Sequence, residues 1–252
     1  MLDGRMNRLK MLRNKSLPVS VVSPENFYTI EDLSAVKKIR DYIAKPDFPC
    51  VGAKAALVQG NVEFRVYRDL ADSGSATGLL FDLLTYVQTI DLDDPRIQSF
   101  VAIFPETDRV NEEEFETLLF DRLGDLSRES EFLDFGWHED VSPDPSNPHF
   151  SMSIAGHPFF VVGMHPNASR NARRTPFPVL VFNSNLQFDR LKADGRYDKL
   201  KAEIRKREIK FNGSINPMLD DHGRSSEARQ YSGRKLPKNW SCPIQFKGSC
   251  DE

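Results

Sequence analysis

Cysteine is scarce in this 252-residue chain: Cys50, Cys242 and Cys250 are odd in number, lie far apart and form no CxxC pair. That scarcity excludes a disulfide-built fold and argues against a structural zinc knuckle, and it points to a reducing compartment. An excess of one charge is lacking as well, since 34 Lys and Arg face 37 Asp and Glu for a net charge of -3. Such a balance supports neither a general nucleic-acid surface nor a membrane surface, although a local basic pocket can exist inside a neutral chain. No apolar run reaches the roughly 20 residues of a spanning helix. The basic start, MLDGRMNRLKMLRNKSLPVSVVS, has no sustained apolar core. A cytoplasmic location, with neither nucleic acid nor membrane as partner, is the expectation. Internal repeats, a P-loop, GxGxxG, GxSxG and HExxH are all absent.

What is present fits a soluble globular protein, with 39% apolar and 28% charged residues. Residues 1–24 read as an N-terminal arm and 25–252 as a single domain. A helix is expected after Thr29, with Glu31 and Asp32 in its first turn. AALVQGNVEFRVYRDL reads as a hairpin turning at Gln59-Gly60-Asn61. ATGLLFDLLTYVQTI has helical apolar spacing, SFVAIFP is a short buried strand, and NEEEFETLLFDRLGDLSR is an amphipathic helix with an acidic start. FSMSIAG and HPFFVVGMHP read as two strands about Ala155-Gly156, PFPVLVFNSN as another, and two helical pieces flank Gly195. The turn-rich tail carries aromatic and branched residues that wrap the domain. Strands and helices mix without a βαβ rhythm, so the fold class expected is α+β, with a mixed or largely antiparallel sheet packed with helices. The assembly state stays open, a homodimer being one option.

The chemistry-bearing residues gather around FVVGMHPNASRNARR. His165 follows a continuously apolar strand, and strand ends are where ligands commonly meet a rigid scaffold. Imidazole there can ligate zinc or haem iron, although no HExxH, His-x-His or nearby Cys/Asp trio surrounds it, or it can simply cap a helix or turn. Asn167 or Ser169 can cap a short helix beginning near Ala168, on which Arg170, Arg173 and Arg174 share a side. Guanidinium forks so placed suit a carboxylate or phosphate, and a solvated cationic surface is the alternative. Cys50 is a thiolate candidate or a buried structural cysteine, and His138 in GWHED is an orienting group or a solvated loop residue. Asp220, Asp221, His222 and Glu227 form an acidic patch suited to a cationic substrate, or a charged turn before a helix capped by Ser225 or Ser226.

FPCVGAKAAL, DPSNPHFSMSIAGHPFFVVGMHPNASRNARR, FNSNLQF, GSINPMLDDHGRSSEARQYSGR and WSCP, in this order, together resemble the YqcI/YcgG family over about residues 46–243. The resemblance implies a haem-dependent monooxygenase that binds haem b, activates dioxygen and N-hydroxylates a guanidine or amine of a small amino-acid-like substrate. With no flavin or nicotinamide domain in view, an external electron donor is implied; a non-catalytic haem- or anion-binding protein is the alternative. The resemblance makes His165 the preferred axial ligand, ahead of His157, His138 and Cys50. Arg170, Arg173 and Arg174 become propionate partners, joined by Arg229 and Tyr231, while Asp221 or Glu227 would hold a cationic substrate. The resemblance also implies histidine, in many relatives, within an FNxHxQF string where this chain has Asn185, a poor haem ligand: an iron ligand belonging there would make this an altered or inactive member, whereas with His165 as ligand Asn185 would tune distal hydrogen bonding or substrate choice.

Overall fold

The computed structural model describes residues 28–221 and 223–246. The arm at 1–24, His222 and Cys250 lie outside the described residues. The first described helix, α1 (Ile30–Ala44), starts where Thr29 and Asp32 form a reciprocal capping box. α2 (Val51–Val58) follows directly, with Cys50 as its N-cap. The expected hairpin is therefore half right: its first arm is helix, and only β1 (Val62–Val66) is strand. VGAKAALV is apolar on nearly every side, and in so short a run the pattern does not separate strand from helix.

α3 (Ser75–Thr89) carries the chain from β1 to β2 (Ser99–Ile103), which pair in parallel. α4 (Glu112–Phe132) begins at Asn111, whose side chain accepts the N–H groups of Glu113 and Glu114 while three glutamates occupy the first turn. β3 (Met152–Ile154) and β4 (His157–Met164) form a hairpin whose two turn residues, Ala155 (φ 55°) and Gly156 (φ 68°), are both left-handed. The Ala155 N–H is held by Ser130 Oγ of α4 at 2.8 Å. β5 (Val179–Ser184) leads into α5 (Asn185–Ala193), and Gly195 at φ 74° separates it from α6 (Arg196–Asn212). A one-turn helix, α7 (Ala228–Tyr231), precedes the tail.

The five strands lie in the order β1-β2-β5-β4-β3, antiparallel except for β1 with β2. The fold is thus α+β, with a mixed, largely antiparallel sheet packed against helices. Side-chain alternation divides the core in two. Phe100, Ala102, Phe159, Val161, Leu180 and Phe182 face α3 and α4, while Val101, Ile103, Met164 and Val179 face α1. The tail does wrap the domain, because Trp240, Cys242, Ile244 and Phe246 pack on the first layer. Buried Glu116 of α4 fastens it, accepting hydrogen bonds from Ser232 Oγ, Arg234 and Trp240 Nε1 at 2.7, 2.7 and 3.0 Å.

Candidate functional site

On the face of the sheet away from α4, α6 stands over the strands and leaves a cleft in two chambers. The larger, of about 320 Å³, is walled by Val101, Val162, Met164 and Val181 of the sheet, Cys50, Gly52 and Ala53 of α2, and Leu200, Ile204 and Glu208 of α6. Residues 200, 204 and 208 recur at four-residue spacing and so share one side of the helix. Two of them are apolar and the third is a carboxylate. Lys201, Arg205, Arg173, Asp220 and Asp221 also line this chamber. The smaller one, of about 190 Å³, holds Asn185, Glu227, Asp140, Asp189 and Lys192. Phe160, Phe188, Tyr197, Leu219 and Asp220 line both, which makes them two parts of one cleft.

Asn185 and Glu227 of the smaller chamber belong to a polar network that continues behind its wall to Ser151 and Tyr231. Glu227 is 4% exposed, and its carboxylate accepts from Ser151 Oγ at 2.8 Å and from Asn185 Nδ2 at 3.1 and 3.2 Å. Tyr231, beneath it, lies 3.4 Å from the same carboxylate and accepts the Met152 N–H at 3.0 Å. Burial, reinforced by Glu227, raises the Tyr231 pKa well above the ordinary phenol value, so the ring remains a neutral donor. Asn185 and Glu227, 42 positions apart, are thus brought into direct contact. Asp221 lines the neighbouring chamber and is bonded to Lys201 Nζ at 3.0 Å, which lowers its pKa.

The His165 and arginine set is arranged differently. No helix starts near Ala168: Asn171–Arg173 is a single 3₁₀ turn, Asn167 Nδ2 donates to the Val110 carbonyl, and Ser169 bonds Glu112. The three guanidinium groups diverge. Arg170 pairs with buried Glu208 at 2.6 Å, and Arg174 donates to the carbonyls of Ala168 and Ser169. Arg173 runs inward to the carbonyls of Gly163, Gln230 and Tyr231 at 2.8, 3.3 and 3.3 Å. Burial depresses its pKa to about 10, with Glu208 opposing that shift. Arg229 stacks on Trp240 and donates to the carbonyls of Pro237 and Trp240, fixing the tail. Of the four arginines only Arg173 lines the cleft.

His165 is 1% exposed and stacks on Phe115 of α4, with ring centroids 4.4 Å apart. Its backbone N–H donates to Arg173 O at 3.0 Å, its carbonyl accepts the Ala168 N–H at 3.2 Å, and its Nδ1 has no hydrogen-bond partner. Burial lowers its pKa. His165 lines neither chamber, and neither do His157 and His138. His157 is buried at the start of β4, with Nε2 2.8 Å from Ser184 Oγ.

Cys50 does face the larger chamber. Pro49 ends the extended approach, and Cys50 Sγ accepts the Ala53 N–H at 3.4 Å as α2 begins. Burial raises its thiol pKa, while the backbone N–H groups of Ala53 and Gly52, and then Arg173, pull it down. Glu208 shares this end of the chamber. It is 6% exposed, and with Oε1 on Arg170 its Oε2 has no partner. Leaving such an acceptor unmet costs about 1–3 kcal/mol or more. Glu208, Lys201, Arg205 and Ser151 belong to no motif that marks them as site residues in the sequence. For Glu208 a signal existed, since a glutamate continues the stripe of Leu200 and Ile204.

The YqcI/YcgG family model matches residues 39–245, most of the chain. The protein belongs to the YqcI/YcgG family. No curated protein and no solved structure matches it. The match in this YqcI/YcgG protein runs from α1 to the tail and includes every residue named above in the cleft. Among the described residues no helix is long and apolar enough to cross a membrane, and no three or more His, Cys, Asp or Glu side chains gather as a metal cage. A haem requires only one or two protein donors.

Proposed function

We propose that this YqcI/YcgG protein is a haem-dependent monooxygenase that hydroxylates a nitrogen of a small guanidine or amine, with the cleft between the sheet and α6 as its site. The observation that carries the reading is the junction of two unlike chambers, one walled by apolar side chains and the other holding the buried Glu227–Asn185–Ser151 network. The donor set fits a haem b. Val101, Val162, Val181, Leu200 and Ile204 offer an apolar wall to a macrocycle, and Lys201 and Arg205 offer cations for its carboxylates. Bound there, the cofactor supplies dioxygen activation with electrons from an external donor.

The chain's own residues supply the rest. The apolar wall excludes water from the reacting nitrogen. Asn185 and Ser151 fix the orientation of the Glu227 carboxylate, which offers that nitrogen a charged hydrogen-bond acceptor from a desolvated position. Asp220, which lines both chambers, adds negative charge along the entry of a cationic substrate. Asn185 is therefore a positioning residue, and a histidine in its place could donate to the same carboxylate.

The test is an assay of haem-loaded protein with dioxygen, a reductant and a panel of guanidines and primary amines, read by mass spectrometry. The expected product carries one added oxygen on nitrogen. Glu227→Gln should keep haem and lose turnover by roughly 10- to 100-fold, the worth of a hydrogen bond to a charged group. Failure to take up haem, or haem uptake with no hydroxylated product across the panel, would overturn the reading, the second result leaving a haem carrier.

A further inference from the structure

We propose that the end of the larger chamber at Glu208 binds an uncharged ligand, an apolar molecule bearing an N–H or O–H group that donates to Glu208 Oε2. This ligand is not the haem, whose ionised carboxylates accept hydrogen bonds and offer that oxygen no donor. The inference therefore goes beyond the haem reading and stands without it.

Glu208 is 6% exposed and lines the chamber, and its Oε2 has no hydrogen-bond partner. The neighbouring guanidinium groups are committed elsewhere. Arg170 holds Oε1 at 2.6 Å and is itself tied to the Ser214 carbonyl at 2.9 Å, which fixes the orientation of the carboxylate. Arg173 is taken by the carbonyls of Gly163, Gln230 and Tyr231. A buried acceptor in that state is completed by a donor from outside the chain. Val101, Val162, Val181, Leu200 and Ile204 wall the same chamber, so the body that brings the donor is apolar. Charge decides the kind of donor. Among the described residues Arg170, Arg173, Lys201 and Arg205 stand against Glu208, Asp220 and Asp221, four cations to three carboxylates, and Lys201 is already paired with Asp221 at 3.0 Å. An ammonium or guanidinium brought to Glu208 would add to that surplus in a desolvated place, whereas an uncharged N–H or O–H meets the oxygen and adds no charge. This separates the ligand from the cationic substrate proposed for Glu227.

Three probes of one bicyclic shape give the test: indole with a neutral N–H, indene with no donor, and isoindoline, whose amine is cationic at neutral pH. Each is titrated calorimetrically into the full chain without added haem. Indole should bind roughly 10-fold or more tighter than either of the others, the worth of a hydrogen bond to a charged group. In Glu208→Gln the amide oxygen stays with Arg170 and the amide N–H group takes the place of Oε2. Indole should then lose its advantage while indanone, an acceptor on the same frame, gains affinity, a reversal that a merely structural role would not produce. Equal binding of indole and indene by wild type, or tighter binding of isoindoline, overturns the proposal. So does an indole advantage that survives in Glu208→Gln, and so does binding of none of the probes, which would leave water as the partner of Oε2. Should the variant not fold, wild type decides with N-methylindole, which should bind as weakly as indene; binding equal to that of indole contradicts the proposal. None of these measurements involves haem, so their failure leaves the haem reading intact.

Discussion

His157 is held in its neutral form, because burial, with a smaller push from His138, lowers its pKa to about 3. Its unfolded value is about 6.5. The folded group therefore binds fewer protons than the unfolded one between those values, and the stability it contributes is full above about pH 6.5 and lost as pH falls from there towards 3. His165 is shifted in the same direction by burial and adds to the effect. Urea unfolding midpoints measured across that window should fall with pH. His157→Asn, which keeps a partner for Ser184 Oγ, should flatten the slope by up to about 1.4 kcal/mol per pH unit; an unchanged slope would mean that His157 charges freely in the fold. Residue identity showed that His165 and the arginines were unusual, but not what they bond. Arg173 finds its acceptors at Gly163, Gln230 and Tyr231, two of them more than 50 positions away, and no local spacing encodes that choice.

Elements approach one another closely at Gly163 of β4. A Cβ placed there would lie 2.5 Å from Leu119 Cδ1, 2.8 Å from Phe115 Cε1 and 2.9 Å from Tyr231 O, so strand, α4 and α7 meet on a position without a side chain. Gly163→Ala should cost about 1–3 kcal/mol by overpacking, read from chemical denaturation, and should disturb Phe115, on which His165 stacks. A neutral substitution would show that α4 is less firmly seated than its packing implies. Most elements were legible in the sequence because their faces are one-sided. The periodicity of α3 and α4, the continuous apolar run of β2 and the break at Gly195 all have local causes. The pattern of α2 does not separate strand from helix, because its eight residues are apolar apart from Lys54, so its helical state rests on the cap at Cys50 and on packing. The expected helix near Ala168 failed for the opposite reason: Asn167, Ser169 and Arg174 each bond elsewhere, leaving one 3₁₀ turn.

At the scale of the molecule the sheet separates two environments. One face carries the aromatic core under α3 and α4, where His165 lies, and the other carries the cleft beneath α6, where Cys50, Glu208, Asn185 and Glu227 gather from four separate stretches of chain. In the sequence Asp221 and Glu227 stand out together as part of one acidic patch, and Asn185 stands apart from them. Their common cleft is a product of the β5–α5–α6 turn and of the return of α7 beneath β4, which only the folded chain reveals. Haem uptake by this cleft is what the proposed function requires first. Titration of the purified protein with haem, followed at the Soret band, tests it against Val162→Trp, a substitution that fills the larger chamber and is checked for folding by circular dichroism. Wild type should take up one haem per chain saturably and the folded variant should not; equal uptake by both proteins, or uptake by neither, would rule this cleft out as the haem site.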